Sequence, residues 1–350
     1  MSHPGEPGTT TFFNWTSTST TPPPCDLNSP ANFFFAAFYS LVLVVGLLLN
    51  GFTLKVYLCG PAPTGGGVGV YLKNLAAADF FLCLCLPLRL AHFTSSSPSL
   101  QRSYCHVGAP AFYLNMYASI LFMGYIAGNR YLKIVHPLGT HVLQTVRAAH
   151  LVSMVTWAFL LAMTCAYVAL WSVTQRAVAP REHSLRCEVL HSQQLKTFYR
   201  VAHGSMAAIF LLVLCSLLFF YRRMSRRLAG AQRRQPVTAG SRRLARGRRN
   251  MLVLMGVFCV CFVPFHLVRL PYTFLSDRSC QLNRVLFYVK EVTTMLSVLN
   301  VCLDPLIYFI FCKAYRAQLG QRGAGQGAGQ GGIRGALKGE LSSTQEAPNG

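Results

Sequence analysis

The chain has 350 residues and a formal net charge of +22, with 52% hydrophobic and only 12% charged residues and a mean hydropathy of +0.37. A soluble domain carries about 25% charged residues, so this chain has too little polar surface to coat a water-facing globule. Its expected solvent is a bilayer, which makes the basic balance a matter of topology and partner docking rather than of nucleic-acid binding.

Residues 1–32 are polar, rich in Thr and Pro, and lack the charged start and short apolar run of a cleavable signal peptide. They read as an extracellular tail in which Asn14-Trp15-Thr16 is a glycosylation sequon. Seven apolar stretches follow, near 33–59, 69–92, 104–128, 149–172, 200–221, 250–270 and 288–311. Each holds roughly 20 residues or more, enough to span a hydrocarbon core at about 1.5 Å rise per residue. The predicted fold is an all-α membrane bundle of seven transmembrane helices. Between the first two spans, Gly65-Gly66-Gly67 reads as a flexible inner turn, since no Lys-Ser/Thr follows to make it a phosphate cradle. Residues 312–320 read as a short amphipathic helix lying on the membrane, and the Gly-Ala-Gly-Gln-rich segment 321–350 as a disordered cytoplasmic tail.

Orientation follows from Lys and Arg. Residues 1–35 carry none, whereas 21 of the 32 basic residues fall on the side reached after helices one, three, five and seven. Eleven of these crowd the expected loop 222–249, which has no Asp or Glu. The positive-inside rule makes that loop cytoplasmic and the N-terminus extracellular, in a multi-pass plasma-membrane protein.

Of thirteen cysteines, nine lie in or beside helices as small hydrophobes, and Cys25, Cys105, Cys187 and Cys280 fall on the outer face. Four cysteines permit three pairings in this oxidising space. Joining Cys105, at the top of helix three, to Cys187 would pin the loop between helices four and five over the bundle mouth. Cys25 with Cys280 would tie the tail to the loop before helix seven.

Polar groups inside a membrane are expensive and usually functional. Asp79 in helix two and Asp304 in helix seven lie at comparable depth to Asn50, Ser119 and Asn300. Two carboxylates cannot both stay ionised in a low dielectric without compensation, so one is protonated or a cation, Na+ being the candidate, sits between them. Toward the outer half, Arg89, Arg269 and Lys290 concentrate positive charge. His266, Arg269 and Tyr272, spaced three apart, share a face of helix six, and Tyr113 and Tyr117 share a face of helix three. Cationic forks beside aromatic rings suit a phosphate with a stackable base, or a phosphate or carboxylate with an acyl chain. No nucleophile–base pair or metal cluster suggests an enzyme.

Asn50, Leu75-x-x-x-Asp79, Arg130-Tyr131, Trp157, Phe258-x-x-Cys261-Phe262-x-Pro264 and Asp304-Pro305-x-x-Tyr308 occur in helix order. Together they resemble the rhodopsin-like (class A) G-protein-coupled receptors over about residues 33–320. Asn115–Ile120, Phe262–Thr273 and Lys290-Glu291 ahead of Asn300–Pro305 are similar to the nucleotide-receptor branch that senses ADP and UDP-sugars, with its orphan and lysophosphatidic-acid-linked relatives. The extra Cys25/Cys280 pair also fits that branch, and a weaker similarity to the platelet-activating-factor receptor keeps lipid ligands open.

The resemblance implies a ligand pocket at Tyr113, Arg269, Tyr272 and Lys290, with Arg89 and His203 added by position. It implies activation by an outward swing of helix six about Pro264, with Arg130, Tyr221 and Tyr308 rearranging towards a G protein, Gi-type in this branch. The ligand would be a nucleotide or nucleotide sugar; an anionic lipid, or a decoy receptor that binds without signalling, are the alternatives. Four departures stand out: Phe262 where the class has Trp, no proline in helix five, Asp304 where Asn is commoner, and Asn129 in place of an acid before Arg130. The last predicts signalling without ligand.

Overall fold

The structure, a computed structural model, describes residues 31–59, 66–95, 97–135, 144–174, 187–234, 239–275, 280–311 and 315–317. Among them seven helices are long and apolar enough to cross a membrane. They are α1 (Ala31–Cys59), α2 (Gly67–Thr94), α3 (Pro98–Val135), α4 (Val146–Thr174), α5 (Gln193–Arg234), α6 (Ala239–Leu275) and α7. The last runs Cys280–Val298 and resumes beyond Leu299 as Asn300–Phe311. Helices are the natural outcome, because hydrocarbon offers backbone N–H and C=O groups no partner outside the segment.

Several helices outrun their expected bounds. α5 has 42 residues, roughly 60 Å of helix, about twice the hydrocarbon thickness. Most of the stretch 222–249 expected as a loop is therefore helix, α5 continuing to Arg234 and α6 starting at Ala239. The physical reason is that Arg, Leu, Ala and Gln are good helix formers. A charge cluster ends an apolar span without ending the backbone's hydrogen bonds; with no proline before Pro236, α5 runs on unbroken. α3 likewise starts early, at Pro98, and passes through a π-helical turn at Tyr104–Gly108.

The helices close into a ring, α1 against α2 and α7, α4 against α2 and α5, α6 against α5 and α7, with α3 touching α2, α4, α5 and α6 from inside. Burial agrees: 67% of the most apolar stretch of α3 is buried, against 17% for α4. Polar ties fix the ring. Asn50 Nδ2 donates to the Val301 carbonyl at 2.7 Å, binding α1 to α7. Trp157 Nε1 donates to Asn74 Oδ1 at 2.9 Å, binding α4 to α2. Gly66, at φ +62, and Gly67 do more than supply flexibility. A Cβ on Gly67 would come within 2.9 Å of the Gln144 carbonyl, so α2 begins in direct backbone contact with the turn before α4.

Asn14, Cys25, residues 312–314 and 318–350, and the side chain of Cys280 lie outside what is described. Of the expected membrane-parallel helix, residues 315–317 are helical. Tyr315 tucks under the bundle against Phe52 and Tyr308, with ring centres 5.4 and 6.2 Å away.

Candidate ligand-binding site

At the end of the bundle where α3 begins, Cys105 and Cys187 are disulfide-bonded across 82 residues. The bond holds the 3-10 turn Cys187–Leu190 against α3, and Tyr104, Trp171 and Leu195 bury the joint. Beneath it opens a cavity of about 930 Å³, the open space at its mouth included. Of the eight residues expected there, Arg89, Tyr113, Tyr117, His203, Arg269 and Lys290 line it.

His266 and Tyr272 do not. His266 is turned under the floor, its ring stacked on Phe210 at 3.8 Å and its Nδ1 at 2.9 Å from the Phe262 carbonyl. Tyr272 is fully buried behind the wall. Its ring serves both cations, lying 5.7 Å from the Arg269 guanidinium and 5.0 Å from the Lys290 ammonium. Three-residue spacing drifts some 60° around a helix per step, about 120° over the two, so one side chain of the three reaches the cavity and its neighbours sit to either side.

The cations differ in setting. Arg269 donates to the Tyr199 hydroxyl and, at 3.4 Å, approaches His203 Nε2. Its guanidinium lies 5.0 Å from the ring of Tyr113. Arg89 donates to Tyr104 Oη at 2.6 Å and is ion-paired with Glu291 at 2.5 Å. The other oxygen of Glu291 is 2.8 Å from Lys290 Nζ. Sequence reasoning used Glu291 only as a branch signature and overlooked Tyr199. Tyr199 and His203 share the four-residue spacing that marked Tyr113 and Tyr117, and Glu291 is a rare acid beside a pocket lysine. On the α3–α4–α5 side the lining turns apolar, with Leu114, Leu160, Met163 and Met206.

Deeper in the bundle, Asp79 accepts hydrogen bonds from Ser119 Oγ at 2.9 Å, Asn300 Nδ2 at 3.2 Å and Tyr308 Oη at 2.9 Å. Neither carboxyl oxygen of Asp304, nor Asn300 Oδ1, receives a hydrogen bond from the surrounding protein. These all-oxygen donors, with orphaned anionic atoms at their centre, fit a hard cation.

At the opposite end, Arg130 Nη2 donates to the Phe311 carbonyl at 3.0 Å, and its guanidinium lies 4.7 Å from the Phe311 ring. Asn129 is buried beside it, and Tyr131 stacks on Phe220 with centres 4.6 Å apart. Phe262 is fully buried edge-on to Phe258, two residues before Pro264 in α6, while Pro305 is buried in α7 and Tyr221 packs against the core.

The family model for the 7 transmembrane receptor (rhodopsin family) matches residues 67–308, and the chain belongs to that family. It is thus a multi-pass membrane receptor and not an enzyme, with a small ligand and a G protein as its partners. It is 34% identical over 310 residues to purinoceptor 14 of Bos taurus, covering 86% of this chain and 90% of that protein. It is 30% identical over 296 residues to purinoceptor 13 of Homo sapiens, covering 81% of this chain and 80% of that one. It is also 30% identical over 309 residues to the uracil nucleotide/cysteinyl leukotriene receptor of Homo sapiens, covering 84% and 78% respectively.

Proposed function

We propose that the receptor lies in the plasma membrane with its N-terminus outside, recognises a small anionic ligand in the disulfide-end cavity, and signals through a Gi-type G protein. A nucleotide or nucleotide sugar is the first ligand class, in keeping with the purinoceptor relatives. The observation that carries this reading is the convergence of Arg89, Arg269 and Lys290, from three helices, on one aromatic-lined cavity. Arginine forks bind phosphate oxygens in pairs, and the rings of Tyr113 and Tyr117 offer faces to a base.

A ligand gripped by Arg269 on α6 and Lys290 on α7 draws those two helices together at one end. Any such shift favours whichever state holds them closer, and that difference in affinity is what drives activation. Pro264, about two-thirds of the way along α6, is where the inner part would swing. The Asp79–Asp304 pair is assigned to Na+, with Ser119 and Asn300 completing the donor set.

A second reading, an anionic lipid, is favoured by the apolar arm formed by Leu114, Leu160, Met163 and Met206. An acyl chain gains about 25 cal/mol per Å² there, whereas a base would leave polar edges without partners.

The test is a panel of nucleotides, UDP-sugars, lysophospholipids and hydroxy-fatty acids on receptor-expressing cells, read as inhibition of cAMP formation. Arg269→Ala should weaken an active anion by about 2–4 kcal/mol, because its charge is left unpaired in a partly dry site. Arg269→Lys should recover only part, since a point charge cannot fork onto two oxygens. Unchanged potency in Arg269→Ala at matched surface density rules the reading out.

A further inference from the structure

We propose that the lipid-facing sides of α5 and α6, where they leave the hydrocarbon at the basic end, form a docking surface for anionic lipid headgroups, with phosphorylated inositol lipids as the preferred occupant. The surface stands apart from the ligand cavity, so either reading can fail alone.

On α5 the exposed apolar residues Leu218 and Phe219 are followed on the same face, three to five positions on, by exposed Arg222 and Arg223, and then by Arg226. The opposite face carries Met224 and Leu228, both buried. On α6 exposed Leu252 is preceded on its face by Arg249, and Arg249, Arg246 and Arg242 follow one another at three- and four-residue steps along an exposed stripe. Each stripe thus turns from apolar to cationic without leaving the side that faces lipid. Gly247 brings the two stripes to one depth. A Cβ there would come within 2.5 Å of Ile134 Cδ1 and 3.1 Å of Met224 Cε, so α6 is seated directly on α3 and α5 at that level.

The chain supplies these arginines with no counter-charge. It has no Asp or Glu from 80 to 181 or from 189 to 276. Arg227 turns inward to the Val135 carbonyl at 3.0 Å, whereas the stripe arginines are exposed and make no ion pair among the described residues. Like charges crowded on two adjacent helices repel one another, and an anionic surface relieves that repulsion. A headgroup layer is about 5–7 Å deep on each side of the hydrocarbon. It covers Arg222 to Arg226, which span roughly 6 Å of helix. The α6 stripe, from Arg242 to Arg249, runs roughly 10 Å and so reaches beyond that layer. Phosphate groups on an inositol ring stand above ordinary headgroups and meet its outer part, and an arginine fork takes two phosphate oxygens at once.

The test uses lipid alone, without G protein, so a surface that serves only a protein partner gives no signal. Purified full-length receptor is placed in nanodiscs of phosphatidylcholine, or of phosphatidylcholine with phosphatidylserine or a phosphatidylinositol bisphosphate added to equal total charge, and its melting temperature is read. The inositol lipid should raise the melting temperature above both other compositions, by an amount that shrinks as salt rises. Its soluble dioctanoyl form, titrated into phosphatidylcholine discs, gives a half-maximal concentration for protection. The combined Arg222→Gln, Arg223→Gln and Arg226→Gln variant should raise that concentration by about tenfold. The combined Arg242→Gln, Arg246→Gln and Arg249→Gln variant should do the same, so either set decides if the other does not fold, and the comparison of lipids needs no variant. Equal protection by the two anionic lipids, protection by neither, or a half-maximal concentration unmoved in a folded variant each overturns the proposal; the last would place the bound lipid elsewhere, the anionic cavity included.

Discussion

Single buried charges organise this bundle. The described carboxylates inside it, Asp79, Glu291 and Asp304, are all buried, and each lies against polar or charged neighbours rather than lipid. That is the arrangement that low-dielectric surroundings require, since an isolated ion there costs several kcal/mol. Asp79 is satisfied by three donors from α3 and α7, whereas the oxygens of Asp304 receive no hydrogen bond. A bound Na+ and a shared proton both resolve that imbalance, and they differ in what they respond to. A ligand binding only the folded state raises stability by mass action. Sodium chloride should therefore raise the melting temperature of ligand-free receptor above that in equimolar N-methylglucamine chloride, and Asp304→Asn should abolish the difference. Equal melting temperatures of wild type in the two salts would assign the shared proton instead.

Helix ends carry the next level of organisation. At the basic end, arginines take the place that acids usually share with them. Arg227 donates to the Val135 carbonyl at the end of α3, at 3.0 Å. Arg316 donates to the Phe309 and Ile310 carbonyls of α7 at 2.8 and 2.9 Å. Arg130 reaches from α3 to the Phe311 carbonyl, the last of α7. The final carbonyls of a helix have no partner within it and form the negative end of its dipole, so a cation there is doubly suited. A restraint on Arg130 thus comes from α7, a source the sequence had not suggested. The ring of Phe311 adds about 0.5–2 kcal/mol as a cation–π partner. Phe311→Ala should raise ligand-free G-protein activation several-fold at equal surface density; an unchanged basal level would show that this contact does not hold the resting state.

For the molecule as a whole, resting silence is a balance between two arrangements of the same seven helices. Asn129 offers Arg130 no charge, and the start of α6, from Ser241 to Asn250, holds five arginines and no acid. Among the described contacts, the α7 carbonyl and ring of Phe311 hold Arg130. An exposed ion pair contributes at most about 1 kcal/mol and a partly buried one more, enough to change a minor population several-fold. Wild type is therefore expected to signal measurably without ligand, and Asn129→Asp to signal less. Basal activity at background in wild type, no lower in Asn129→Asp, would place the silencing entirely in apolar packing and the Asp79–Asp304 site.

The sequence by itself determined the seven spans, the family and most of the cavity's cations, and left the Cys105–Cys187 pairing as one of three that the structure then decided. The first three follow from composition, from motifs whose residues each occupy a set depth in one helix, and from a resemblance carried by contiguous segments. Hydropathy could not mark where α5 and α6 end, because charge stops an apolar span and not a helix. Spacing on α6 could name His266, Arg269 and Tyr272 as neighbours, but only packing against α5 and α7 decided that Arg269 alone reaches the cavity. Ion pairing between Arg89 and Glu291, 202 residues apart, and the grip of Phe311 on Arg130, 181 residues apart, had no local signal. Contacts across such separations depend on how helices are rotated and seated against one another, a property of the assembled bundle that no single helix encodes.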